Sequence, residues 1–184
     1  MRKIFLFNLI TLDGYFEGPN HDISWHMVDE DFNKFAIEQL NDIGTIIFGR
    51  VTYEMMASFW PTDLAKDDPE TAKLMNEASK IVVSTTLEKA DWQNTRLIKD
   101  NVKNELQRLK ESNGKDIAIF GSSKLAVSLI EMGLLDEIRV IVNPIILGEG
   151  TTLLKGIKNK VNLKLTKSQT FGNGNVMMFY SVQK

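Results

Sequence analysis

The chain has 184 residues, a length that suits one domain with a substantial core, and its 43% hydrophobic and 25% charged residues are ordinary for a soluble globular protein. Lys and Arg number 22 against 24 Asp and Glu, a formal charge of −2, and the cations are scattered rather than striped, which argues against a nucleic-acid partner. Cysteine is absent and the only histidines, His21 and His26, lack further ligands nearby. That excludes disulfides, thiolate metal sites and a cysteine nucleophile, leaves no distant His for a Ser-His-Asp arrangement, and predicts no metal.

The apolar run Ile4 to Thr11 ends at the turn pair Asp13-Gly14. It is too short for a signal sequence and lacks a small-residue cleavage site, so it predicts a first strand buried on both faces, as in a parallel sheet. No later stretch can span a bilayer, and a cytoplasmic location is the simplest expectation. Tyr15 to Asp29 contains Gly18-Pro19-Asn20 and shows no period, which predicts a long loop. Phe32, Phe35, Ala36 and Leu40 follow helical spacing, with acidic residues at the helix start. Ile43 to Gly49 predicts the second strand, Val51 to Phe59 a helix stopped by Pro61, and Pro69 to Ala78 another short helix.

Lys80 to Thr85 predicts the third strand and Thr95 to Lys99 a weaker one. Val102, Leu106 and Leu109 mark a helix ending near Asn113-Gly114. Asp116 to Phe120 and Glu137 to Val142 predict strands flanking a mostly apolar helix over Leu125 to Leu134. Val161 to Phe171 and Val176 to Val182, joined across Gly172-Asn173-Gly174-Asn175, predict a closing hairpin. Strands alternating with helices, then a hairpin, predict one α/β domain over residues 1–184: a mostly parallel central sheet flanked by helices, with a C-terminal antiparallel hairpin.

Two turns carry candidate chemistry. In FGRVTYE a buried strand ends at Gly49 and a helix begins at once. Free amides at a helix start favour anions, Gly49 permits close approach, Arg50 adds a planar charged fork and Thr52 a hydroxyl. An ordinary strand-to-helix turn with a surface Arg is the alternative. In IAIFGSSKL the same design recurs: Phe120, then Gly121, then Ser122 or Ser123 able to cap a helix that continues through Leu125. Both turns would open at the carboxyl ends of parallel strands, where ligands bind. Ser84 and Thr85 close a third strand at that edge, with hydroxyls for a ribose or its phosphate or for simple turn chemistry. Leu147-Gly148-Glu149-Gly150 lacks the third Gly of a dinucleotide fingerprint and reads as a tight loop.

LDGYFEG, FGRVTYEMM, KIVVST and IFGSSKLAVSLIEMGLLDEIRVIVNPIILGEG, in that order, resemble the dihydrofolate reductase superfamily over nearly the whole chain. The pattern is most similar to stand-alone proteins related to the reductase domain of the bifunctional riboflavin-biosynthesis deaminase/reductase. The resemblance implies a dihydrofolate reductase-like fold and NADPH as cofactor. It places Gly49, Arg50 and Thr52 on the phosphates, Phe120, Gly121, Ser122, Ser123 and Leu125 around the pyrophosphate, Ser84 and Thr85 by the adenosine 2′-phosphate, and Thr11, Asp13 and Gly14 beside the nicotinamide. It implies a small pterin, folate or ribosylated pyrimidine as substrate. Trp25, Phe32 and Met56 can wall a flat ring, or be plain core. Asp29 or Glu30 can supply a proton, or merely favour the helix start. The second turn has one Gly and two Ser where dihydrofolate reductases have a Gly pair, and the deaminase domain, whose zinc motif needs cysteines, is absent. A non-catalytic nucleotide-binding protein or sensor is the alternative function. The resemblance and the edge strands together imply a homodimer.

Overall fold

The computed structural model describes residues 1–183. Among them the strands are β1 (Ile4–Thr11), β2 (Tyr15–Glu17), β3 (Ile43–Gly49), β4 (Ser79–Val83), β5 (Thr95–Ile98), β6 (Asp116–Phe120), β7 (Glu137–Asn143), β8 (Thr151–Thr152), β9 (Leu163–Thr170) and β10 (Val176–Val182). The helices are α1 (Glu30–Asn41), α2 (Arg50–Ala57), α3 (Pro69–Glu77), α4 (Val102–Glu111) and α5 (Ser123–Glu131). Eight strands form one sheet in the order β5-β4-β3-β6-β1-β7-β10-β9. The first six are mutually parallel, while β10 and β9 run antiparallel and close one edge.

The apolar runs of β1, β3 and β6 follow from burial on both faces. Ile4, Leu6, Ile47, Ile117 and Ile119 meet Leu106 of α4 and Ala126 and Leu129 of α5 on one face. Phe5, Ile46, Phe48 and Ala118 meet Leu40, Tyr53 and Met75 of α1, α2 and α3 on the other. Each such side chain contributes roughly 1.5–3 kcal/mol when fully buried. Lys80, also within this second layer, is 1% exposed; its ammonium donates to the carbonyls of Met75, Asn76 and Ala78 and lies 4.5 Å from the Trp92 ring centre. Burial pulls its pKa down to about 8, which still leaves it charged at neutral pH.

Three expectations change. The stretch Tyr15 to Asp29 is not all loop: β2 pairs with β8, more than 130 residues away, and Pro19–His21 forms a 3-10 turn. Strands this short carry no period of their own. The third strand stops at Val83 rather than Thr85, because the Ser84 hydroxyl accepts hydrogen bonds from the amides of Thr86 and Leu87 and bends the chain. Helix α5 begins at Ser123 and ends before Gly133, which has φ +71°, while the Leu134 amide bonds back to the Leu129 carbonyl, a helix-closing arrangement.

Candidate active site

The site begins with an unequal ladder. β1 pairs with β6 only over Ile4 to Phe7, because β6 ends at Phe120 and turns away. On its other side β1 stays paired with β7 from Phe5 to Thr11. Asn8 to Thr11 are therefore paired on one side only, leaving a notch at the carboxyl edge of the sheet. The turns after β3 and β6 flank that notch, as expected for a ligand site in an open parallel sheet.

Those two turns are tied together. The Gly49 amide donates to the Ser122 hydroxyl at 2.8 Å, and the Ser122 amide donates to the Thr52 hydroxyl at 3.1 Å. The Ser122 hydroxyl lies 3.0 Å from the same Thr52 oxygen. The Ser122 hydroxyl also lies 3.1 Å from the Phe120 carbonyl, so its one hydrogen serves only one of these two oxygens, and Thr52 shares its hydroxyl with Ser122. Gly121 has φ +59°, and a Cβ there would lie 2.9 Å from Thr52 Cγ2, so only glycine fits. Ser122, with φ 58°, holds the same left-handed region at a cost of about 1 kcal/mol. The expectation that Ser122 or Ser123 caps α5 is corrected: Ser122 serves the tie, and the Ser123 hydroxyl donates to the Leu153 carbonyl at 2.6 Å. Neither α2 nor α5 has a side-chain cap among the described residues, so their first-turn amides remain available to an anion.

Arg50 is the first residue of α2; it is paired with Glu54 at 2.8 Å through one terminal nitrogen, and its side chain is 44% exposed. The remaining donors of the fork are uncommitted. Leu125 packs half-buried against the core beneath α5. Thr11 is fully buried; its hydroxyl donates to Asp13 at 2.6 Å and accepts from the Tyr15 amide. Asp13 also accepts from the amides of Leu147 and Gly148, bonds that hold its pKa below the usual carboxylate range, led by the Thr11 hydroxyl. Both carboxylate oxygens are thereby used to join two loops, and Asp13 positions the turn containing Gly14, which has φ +88°. The Gly148-Glu149-Gly150 loop is structural as expected: a Cβ on Gly150 would overlap the Glu17 carbonyl at 2.3 Å. The Ser84 hydroxyl is occupied within its own turn, and Thr85 is exposed beyond it.

A cavity of about 350 Å³ opens from this edge between the sheet and α1, α2 and α3. Phe32 and Met56 line it, together with Thr52, Phe120 and Gly121. Trp25 does not: it is 8% exposed and packs with Leu9, Ile141, Phe171 and Met177 in a separate core. Asp29 and Glu30 do not line it either. Asp29 caps α1, accepting from the Phe32 amide at 2.8 Å, and Glu30 pairs with Lys34 on a side chain 85% exposed. Asp29 precedes the helix as its cap and Glu30 turns outward, while the inward face of α1 carries Phe32, Asn33, Ala36 and Gln39.

Sequence reasoning missed the polar groups that do line the cavity. Asn8 stands mid-strand in an apolar run, a legible signal, yet only 6% exposed and without a side-chain hydrogen bond. His26 packs edge-on against Trp25 at 4.4 Å, its Nε2 is buried without a partner, and burial lowers its pKa to about 4, with Asp22 opposing. Of the lining carboxylates, Glu17 bonds His21 at 2.8 Å and Asp68 accepts from the Thr71 amide at 3.2 Å. Among the described residues no group of His, Asp and Glu is placed to hold a metal ion, and no helix is long and apolar enough to cross a membrane.

Comparison with known proteins agrees with this architecture. Residues 2–177 match the model of the RibD C-terminal domain. The Bacillus subtilis (strain 168) protein YyaP is 36% identical over 183 residues, covering 97% of this chain and 94% of its own. A Shewanella sp. PV-4 structure described as a riboflavin biosynthesis protein superposes with TM-score 0.76 at 18% identity over 99% of both chains. Dihydrofolate reductase from Enterococcus faecalis, solved with NADP(H), superposes with TM-score 0.66 at 15% identity over 99% of this chain and 97% of its own. The mostly parallel sheet with its terminal hairpin is the dihydrofolate reductase-like fold, and the chain belongs to the RibD C-terminal domain family.

Proposed function

We propose that this chain is an NADPH-dependent reductase of a small heterocycle: a pterin, a folate or a ribosylated pyrimidine. The observation that carries the reading is the tied pair of turns beside the notch. Two uncapped helix starts and the spare Arg50 donors flank the tied turns where a pyrophosphate can lie, which is the donor set an anion of that shape requires. The left-handed Gly121 keeps that surface free of a side chain. When bound, the nicotinamide supplies hydride. The protein's part is to fix the phosphates, present the one-sided edge of β1 to a flat ring, and exclude water with Phe7, Phe32, Met56 and Phe120. Neither Asp29 nor Glu30 is placed to hand a proton to the cavity, so water or the substrate itself supplies it.

The same observation supports a second reading, a nucleotide-binding protein without turnover. Calorimetry with NADPH tests the shared premise: absence of binding ends both. Loss of NADPH absorbance with dihydrofolate, a dihydropterin or a ribosylaminouracil then separates them, and turnover with none of the three favours the second. We further propose a homodimer. β9 is exposed along all eight residues at the sheet edge, with Leu163 and Leu165 40% and 50% exposed. Light scattering at micromolar concentration should give twice the chain mass, and a monomer refutes this.

A further inference from the structure

Asn8 is the one amide side chain in the apolar run of β1, and it occupies the first position past the end of the β6 ladder. It shares a face with Ile4, Leu6 and Ile10, all packed in the α4/α5-side core, whereas Phe7 and Leu9 belong to the opposite side. The cavity touches both sides here, since Phe16, packed on the first core, lines it along with Phe7 and Leu9. The notch is therefore where the cavity passes from one face of the sheet to the other.

The Asn8 side chain is 94% buried by its 6% exposure, it lines this cavity, and neither end of its amide makes a hydrogen bond with the described residues. A buried amide without partners is destabilising, and leucine, with the same heavy-atom count and branching, would serve the core better. Elsewhere the buried polar side chains of the chain are generally bonded: Arg2 to the Lys115 carbonyl and Thr45, Lys80 to three carbonyls, Ser123 to Leu153. An amide presents one donor and one acceptor side by side. Its complement is another amide edge, a C=O beside an N–H.

We propose that Asn8 orients a bound ring by pairing with such an edge, either the carboxamide of a nicotinamide or the lactam of a pyrimidine or pteridine. The inference rests on the reductase reading for the place of the ring. The lining carboxylates Glu17 and Asp68 each hold a partner within the fold through one oxygen, and the inward face of α1 offers the amides of Asn33 and Gln39.

The test is Asn8→Leu, assayed by melting and by binding. Its melting temperature should equal or exceed that of the wild type, since an unpaired amide is replaced by a hydrocarbon; a structural asparagine would instead lower it, and that result overturns the proposal. Binding is measured by calorimetry with NADP⁺ and with its 3-acetylpyridine analogue, which lacks the amide N–H, and by fluorescence titration with lumazine, a pteridine dione. If the carboxamide is the partner, Asn8→Leu weakens NADP⁺ by roughly 5- to 100-fold, to the affinity of the analogue, and leaves lumazine unchanged. If the lactam is the partner, lumazine weakens by that factor and NADP⁺ does not. Unchanged affinity for both ligands refutes the role of Asn8 while leaving the reductase reading intact. Wild-type protein that binds neither dinucleotide fails the reductase reading instead.

Discussion

Gly121→Ala is the sharpest probe of the tied turns. Two effects add. The residue sits at φ +59°, where an L side chain costs about 1–2 kcal/mol. The new Cβ would also lie 2.9 Å from Thr52 Cγ2 and 3.0 Å from Thr52 Oγ1, and the same Thr52 oxygen accepts from the Ser122 amide. Moving Thr52 breaks that bond and its contact with the Ser122 hydroxyl that Gly49 binds, so crowding adds about 1–2 kcal/mol. The total of roughly 2–4 kcal/mol should lower the melting temperature by about 5–15 °C. Gly133→Ala isolates the backbone share, because Gly133 has φ +71° but nothing within 4 Å of the added methyl. It should lose about 1–2 kcal/mol and bind NADPH normally, whereas Gly121→Ala should bind at least 10-fold more weakly. Adding Thr52→Ser to Gly121→Ala deletes the nearest atom and should recover part of the stability. Chemical denaturation and calorimetry read both quantities. If Gly121→Ala is no more destabilised than Gly133→Ala, the close packing of the two turns is not what holds them.

Arg50→Ala should weaken NADPH by roughly 10- to 150-fold, the 1.5–3 kcal/mol of one charge-assisted contact, with a nearly unchanged melting temperature because its pair with Glu54 is exposed; equal affinity in calorimetry would displace the phosphates from this turn. Asp29→Ala should lose about 1 kcal/mol of stability as a lost helix cap, and Asp29→Asn and Glu30→Gln should leave kcat at neutral pH unchanged; a fall in kcat for either would return the acid to α1. His26 stays neutral in the fold while the unfolded chain takes up its proton near pH 6.5, so its contribution is complete above that pH and is lost as pH falls toward about 4. Over that range the wild type should lose roughly 3 kcal/mol more than His26→Gln; parallel stability profiles would show that His26 titrates as an exposed histidine does.

Much of the fold was legible in the order of residues. Ile4 to Thr11, Ile43 to Gly49 and Asp116 to Phe120 are continuous apolar runs, which only strands covered on both faces need, and the Gly-Asn-Gly-Asn turn announces the hairpin. The two Gly turns were legible as strand-to-helix turns with free amides, because a strand ending in Gly before a helix start leaves them free whatever surrounds it. The cavity wall was less so. Asp29 lies just outside α1, where its carboxylate caps the helix, and Glu30, the first helical residue, points to solvent while Phe32 and Asn33 face inward. Trp25 shares its neighbourhood in sequence with the cavity-lining His26, yet lies in another core.

Local chemistry thus determined the elements, the two turns and the absence of cysteine chemistry, because period, propensity and backbone availability depend on neighbours in the chain. Tertiary structure alone decided that β6 stops four residues short of β1, that Ser122 bonds Gly49 and Thr52 across 70 residues instead of capping its helix, and that Asn8 is buried with its amide unpaired. Those facts depend on register and on which partners come within hydrogen-bond reach, and distances between residues far apart in the chain are set only when the whole sheet is assembled.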